Sequence, residues 1–441
     1  FDPISGFPVY KALLCEVEKV GDGTGSSSIS VGEHDDLEQS GERTGKIIVP
    51  VDSPRTVYLD HNATTAIHAE VLEAMLPALT EDSWGNPSSI YQKGSQVKAA
   101  IEDARRSVAQ LMGCTARRIT FTGSGSEANN LAIKGVALAA PRGRHIITST
   151  IEHPAVLKAC RALEAEGFEV TKLGVDREGL LDPDEFSETL RADTTLATIM
   201  YANNEVGSIQ PIARLAAIAA ERRVPFHTDA VQALGKVSLD VEALGVDMAS
   251  ISAHKVQGPK GMGALYIRDG VALSPLVHGG GQERGLRAGT ENVAGIIGFG
   301  KACELAQRRL YADAMDEVER LRDRLEEGIR KLVPGVVRNG STTSCLPNTL
   351  NMTLPGIRGE SLVLALDPLG VYFSSGSACR SGNPDPSHVL IAIGLSEDDA
   401  HCSVRFSLGP GLSDEDVDIA LDRLERTFTD TMSAVRFVGC R

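Results

Sequence analysis

From Val57 onward the chain alternates between two textures. Short apolar runs, RRITFT, HIITST, LATIMY, VPFHT, DMASIS and GALYIR, are separated by stretches with helical periodicity, such as EANNLAIKGVALAA, PAVLKACRALEAEG and PIARLAAIAAERR. Parallel strands need a long crossover, usually a helix, so this alternation predicts an α/β fold with a mainly parallel sheet wrapped by helices. The runs are apolar in both phases, as expected of strands covered on both faces. After about residue 300 the grain changes. A long amphipathic helical pattern, ENVAGIIGFGKACELAQRRLYADAMDEVERLRDRLEEGIRKL, is followed by the strand-like NTLNMTL, VYFSS and SVRFS, with helices expected at 386–394 and 413–431. This predicts a second, smaller α+β domain.

Charge and cysteine usage narrow the function classes. The net charge of −15 argues against a large basic surface for nucleic acid. No run approaches the roughly 18 apolar residues of a membrane-spanning helix. Eight cysteines are scattered without a C-x-x-C, which suggests neither a disulfide framework nor a metal site and points to a reducing compartment, the cytoplasm. Residues 1–54 carry four Lys/Arg against ten Asp/Glu and include the Gly/Ser-rich GDGTGSSS. They read as an acidic extension, flexible or loosely docked, too acidic for a mitochondrial transit peptide.

Six motifs carry chemistry, each with an ordinary alternative. GSGSEANN (123–130) follows a strand and opens a helix, so its free N–H groups make a phosphate cradle or simply a capped turn. IEHPAV places His153 just past a strand, where an imidazole stacks on a ring, moves protons, or is structural. HTDAVQA places Asp229 at a strand's C-terminal end, where it pairs with a cationic ring nitrogen or caps a helix. SAHKVQGPKG places Lys255 in a tight polar turn; a partly buried lysine there forms a Schiff base, whereas most lysines are surface charge. SSGSACRSG sets Cys379 among small residues beside Arg380, which favours the thiolate. VRFSLG puts Arg405 on a strand, where it grips a substrate carboxylate or faces solvent. Taken in this order, the six describe pyridoxal phosphate (PLP) handling an amino acid, with a thiol ready to accept a group.

The sequence resembles the PLP-dependent cysteine desulfurases of the class V aminotransferase superfamily. The resemblance runs from about Val57 to about Thr427 and is carried by YLDHNATT, WGNPSS, GSGSEANN, EHP, NNEVGSIQPI, HTDAVQALGK, SAHKVQGPKGMGALYIR, GGGQERGLRAGTEN, LPNTLN, SSGSACRSG, PSHVLIAIG and VRFSLG. The SSGSACRSG form is similar to the branch with a long, mobile cysteine loop.

That resemblance implies PLP-dependent transferase fold type I: a large PLP-binding domain over 71–304 with a mainly parallel seven-stranded sheet, and a small α+β domain over 55–70 and 305–441 carrying the cysteine loop. Lys255 would hold PLP. Asp229 would pair with the pyridine nitrogen, Gln232 would bond the ring oxygen, and His153 would stack on the ring. Gly125, Ser126, Ser252 and His254 would hold the phosphate, and Thr290 would reach the phosphate in the partner subunit of a homodimer. Asn203 and Arg405 would bind the substrate carboxylate. Cys379 would take sulfur from L-cysteine as a persulfide, release L-alanine, and pass the sulfur to an acceptor protein for iron–sulfur assembly or tRNA thiolation. Selenocysteine lyase, or another class V aminotransferase-like enzyme, would use the same groups. A catalytically silent binding protein of this fold would be expected to lack Lys255, Asp229 or Cys379, and all three are present.

Overall fold

The computed structural model describes residues 55–80, 84–139, 142–376 and 385–438, with side chains through residue 429. The acidic extension expected over 1–54 lies outside these residues, as do Cys379 and Arg380.

After the short β1 (Val57–Tyr58), a central sheet gathers seven strands: β2 (Ile119–Thr122), β3 (His145–Ser149), β4 (Glu169–Leu173), β5 (Thr194–Thr198), β6 (Phe226–Asp229), β7 (Met248–Ser252) and β8 (Gly263–Ile267). Their spatial order is β2-β8-β7-β6-β5-β3-β4. All neighbours are parallel except β8, which runs antiparallel to both β2 and β7.

The two-phase apolar character of the runs has a direct structural counterpart. Ile146, Leu196, Met248 and Leu265 join one buried cluster, whereas their sequence neighbours Ile147, Ala197, Ala249 and Ala264 join another. Consecutive side chains leave opposite faces of a strand, so each face packs its own core. Edge strand β4 is different. Its EVTKL is largely solvent-facing, and it escaped the sequence reading because a half-exposed strand with Glu169 and Lys172 lacks the apolar signature.

A third cluster surrounds a four-stranded sheet, in the order β12 (Ser374–Ser375), β13 (Ser403–Ser407), β10 (Thr349–Thr353) and β9 (Val337–Asn339). Val57 and Leu59 belong to it, and β1 pairs in parallel with β11 (Val371–Tyr372). The long helical pattern after residue 290 divides into two helices, Val293–Tyr311 and Ala314–Leu332, broken at Asp313, whose φ of 50° is left-handed. The helix expected over 386–394 shortens to His388–Ala392, and the last one runs Asp414–Val438. Among the described residues no helix is long and apolar enough to cross a membrane, and no group of three or more His, Cys, Asp or Glu could hold a metal ion.

Candidate active site

The chemistry-bearing motifs converge because most follow the C-terminal ends of parallel strands, where open α/β sheets form their crevice. A cavity of about 640 Å³ opens there, within the size range of cofactor sites. Gly125, His153, Asp229, Gln232, Lys255 and Arg405 all border it, as do Ser126, Ser252 and His254.

One end of the cavity is built for an anion. Helix α1 is Ala69–Leu79, α2 is Gln92–Leu111 and α3 is Gly125–Ala139. The start of α3 is held by a capping arrangement. Ser124 Oγ accepts from Glu127 N at 3.1 Å, and Glu127 Oε2 accepts from Gly123 N at 2.8 Å. The first-turn N–H groups of Gly125 and Ser126 have no preceding turn to bond to and lie at the positive end of the helix dipole. Gly125 is required by space: a Cβ there would stand 2.8 Å from Val231 Cγ2.

The other end is built for a cationic ring and an amine. Asp229 is buried at the end of β6, held by Asn129 Nδ2 on Oδ2 at 2.6 Å and by Val231 N on Oδ1 at 3.0 Å. Lys255 sits in a 3-10 turn just past β7, and its Nζ donates to the carbonyls of Asn62 and Ala63, both at 2.6 Å. His153 faces the cavity and caps helix Pro154–Ala165, its Nδ1 accepting from Ala155 N at 3.1 Å. That bond places the neutral ring's proton on Nε2. Desolvation by the surrounding protein and the nearby Lys255 and His388 hold this imidazole below the usual histidine range, against the pull of Asp229. His254 is pushed down to about 4 by burial and by Lys255 and Lys260. A phosphorylated heteroaromatic ring with a protonated nitrogen fits this donor set: helix N–H groups for phosphate, a carboxylate for the ring cation, an imidazole for a ring face, and an amine within the same cavity.

Arg405 lies on β13 with its guanidinium buried. Its Nη1 donates to Asn204 O at 3.0 Å, and its Nη2 to Asp60 Oδ1 at 2.6 Å and Ser374 Oγ at 3.0 Å, while Nε has no partner.

Asn203 is not brought into the cavity. Its side chain is fully buried, donating to Ile151 O at 3.0 Å and accepting from Glu205 N at 2.8 Å and Val206 N at 3.0 Å. It builds the turn, and the next residue, Asn204, borders the cavity instead. Thr290 is exposed on the loop after β8 and does not border its own chain's cavity. That loop is strapped to α2 by a buried bidentate pair, Arg105 with Glu283 at 2.7 and 2.8 Å, and to β2 by Phe121 N donating to Glu283 Oε2 at 2.8 Å. Cys379 lies outside the described residues, but Asp385, Ser387 and His388, soon after it in sequence, border the cavity. Of the described cysteines, Cys114 and Cys160 are pushed up to about 12 by burial, and Cys303 is raised further, so these three stay thiols.

Sequence reasoning missed Asn62, Glu152, Asn204 and His388. Asn62 and Asn204 sat inside blocks already quoted, and the Asx-turn pattern of NNEVG, ending in Gly207 at φ +81°, was the signal that the first asparagine builds the turn. Glu152 is fully buried, its Oε1 accepting from Ser149 Oγ at 2.6 Å and Met200 N at 2.9 Å. Burial pushes its carboxyl up to about 8.

Comparison with known proteins agrees with this geometry. The family model described as aminotransferase class-V matches residues 57–420. Among curated proteins, the cysteine desulfurase IscS of Dictyoglomus turgidum is 51% identical over 373 residues, covering 84% of this chain and 94% of its own. The protein of the same name from Methanosarcina thermophila is 51% identical over 369 residues, covering 83% and 91%. Among solved structures, a NifS-like protein superposes with a TM-score of 0.80 at 40% identity, covering 85% of this chain and 100% of its own. A class V family match across most of the chain, relatives at half identity, and a cavity with an amine, a carboxylate and an imidazole lead to one conclusion: the chain belongs to the class V aminotransferase family, among its cysteine desulfurases.

Proposed function

We propose that this protein removes sulfur from L-cysteine with the help of PLP, giving L-alanine and a persulfide on Cys379. The observation that carries the reading is the shared cavity of Lys255, Asp229, His153 and the α3 N-terminus. Bound PLP supplies an electron sink that acidifies the substrate Cα–H and weakens its Cβ–S bond.

The chain's own groups do the rest. Gly125 and Ser126 N–H groups hold the phosphate, with Ser252 and His254 beside them. Asp229, kept in place by Asn129, keeps the ring nitrogen protonated. Gln232 would donate to the ring oxygen, and His153, its proton on Nε2, would lie against the ring. Lys255 would hold the cofactor through Nζ, and the same amine is placed to take the proton from the substrate Cα. Arg405 orients the substrate carboxylate, and Asn204 takes the place first given to Asn203. The Cys379 thiolate attacks the substrate sulfur; an S–S bond forms, the C–S bond breaks, and protonation at Cβ yields alanine. The persulfide then passes to an acceptor protein of iron–sulfur assembly or tRNA thiolation, in the cytoplasm.

A homodimer is part of the proposal. Leu72, Leu76, Leu79, Trp84, Ile90 and Tyr91 are all exposed within one short stretch of chain, more apolar surface than solvent favours. Thr290, which does not border its own cavity, would complete the site of a second copy. The domain boundaries expected from sequence, 71–304 for the large domain and 55–70 with 305–441 for the small, remain part of this reading. Lys255→Ala tests it: loss of the visible absorption band of bound PLP is expected, and an unchanged band would remove Lys255 from the site. Cys379→Ala is expected to keep the band and lose sulfide release.

A further inference from the structure

Lys236 lies four residues after Gln232, buried, and none of the roles above uses it. Its Nζ donates to two amide oxygens, Gln232 Oε1 at 2.6 Å and Asn62 Oδ1 at 2.7 Å. Among the described residues no carboxylate bonds to it. Burial, together with the positive charges of Lys255 and Arg405, holds its pKa well below the lysine range. A buried amine without a counter-charge is costly, so its retention calls for a physical reason.

Its two partners supply the reason. A carboxamide has nearly the same shape when its oxygen and nitrogen are exchanged, so only the network decides which one faces the cavity. Asn62 is fixed from elsewhere. Its Nδ2 donates to Asn204 O at 3.2 Å and Thr349 Oγ1 at 2.8 Å, and its Oδ1 accepts from Asn348 Nδ2 at 3.0 Å. Lys236 must therefore act as donor to Asn62, and a further N–H goes to Gln232. That turns the Gln232 oxygen toward Lys236 and Nε2 toward the Asn62 carbonyl, 3.0 Å away, with its second hydrogen left for the cavity. The same Asn62 carbonyl accepts from Lys255 Nζ. A flipped Gln232 would set its oxygen against that carbonyl, two acceptors facing each other.

We propose that Lys236 is a positioning residue that locks the Gln232 carboxamide so that it presents a hydrogen-bond donor, never an acceptor, to a ring oxygen bound in the cavity. This rests on the cofactor reading given above and adds a residue to it that touches neither cofactor nor substrate.

The test is a double-mutant cycle on PLP affinity, measured by titrating the full-length apoprotein with PLP and reading the bound band. Gln232→Ala and Lys236→Met are each expected to weaken binding about tenfold, the loss of one hydrogen bond. The double variant is expected to be no weaker than either single one, because both remove the same contact. The bound band should move in the same direction in both single variants, which a merely structural lysine would not produce. If Lys236→Met does not fold, Lys236→Gln, one bond shorter but polar, is read in its place with the same expectation. Lys236 variants within twofold of the wild type, or losses that multiply in the double variant, overturn the inference. So does a Gln232→Ala variant that binds like the wild type. A wild-type protein that shows no PLP band instead overturns the cofactor reading itself, which keeps the two failures apart.

Discussion

Arg405 Nη2 donates to Asp60 Oδ1 at 2.6 Å, tying β13 to the segment that follows β1. The guanidinium is thus held in place before any substrate arrives, with its orphaned Nε left over. Arginine's fork grips a carboxylate by two parallel bonds that lysine cannot reproduce. Arg405→Lys is therefore expected to raise KM for L-cysteine by about 10- to 100-fold, the value of a charge-assisted hydrogen bond, with the band of bound PLP unchanged. Steady-state kinetics beside an absorption spectrum check this; an unaltered KM contradicts it.

Burial sets the behaviour of Glu152 with pH. Its folded pKa is about 8, against 4.5 as its ordinary value. The folded state therefore holds a proton that the unfolded chain has already lost. The stabilisation is complete below about pH 4.5 and is lost as pH rises through 8. Histidines depressed by burial, such as His227 at about 3 and His254 at about 4, slope the other way below their ordinary 6.5. Subtracting the melting temperature of Glu152→Gln from that of the wild type isolates the carboxyl. The difference is expected to decline between pH 5 and 8, and a flat difference contradicts the assignment.

The strap that ties the Thr290 loop to α2 and β2 makes a separate prediction. Arg105 and Glu283 are both buried, and Glu283 Oε2 also accepts from Phe121 N at 2.8 Å. Glu283 holds this contact at a left-handed φ of 46°. Glu283→Ala would take away two of the buried guanidinium's charged contacts and the acceptor of Phe121 N, leaving as counter-charge only the more exposed Glu102 on Nε at 3.1 Å, and is expected to cost about 2–4 kcal/mol. Denaturant unfolding should show that loss, whereas Glu317→Ala, at a solvent-exposed pair with Arg320, should leave the unfolding midpoint nearly unchanged.

Much of the fold was legible because burial on both faces writes an unmistakable apolar signature: the six runs from RRITFT to GALYIR are β2, β3, β5, β6, β7 and β8. Strand β4 was not, since its exposed Glu169 and Lys172 mask it. Residue types and their order revealed the chemistry of the site, but not which of two adjacent asparagines turns inward. Asn203 spends its amide on backbone groups of its own turn, and Asn204 borders the cavity. Lys236 was invisible for a related reason. Its partners Asn62 and Gln232 are 174 and 4 residues away, and only the fold brings all three together.

The central claim is most directly tested by incubating purified protein and PLP with L-cysteine and a thiol reductant, and measuring alanine and sulfide together. Equal amounts of both are expected over many turnovers. PLP bound to the protein with neither alanine nor sulfide formed would contradict it.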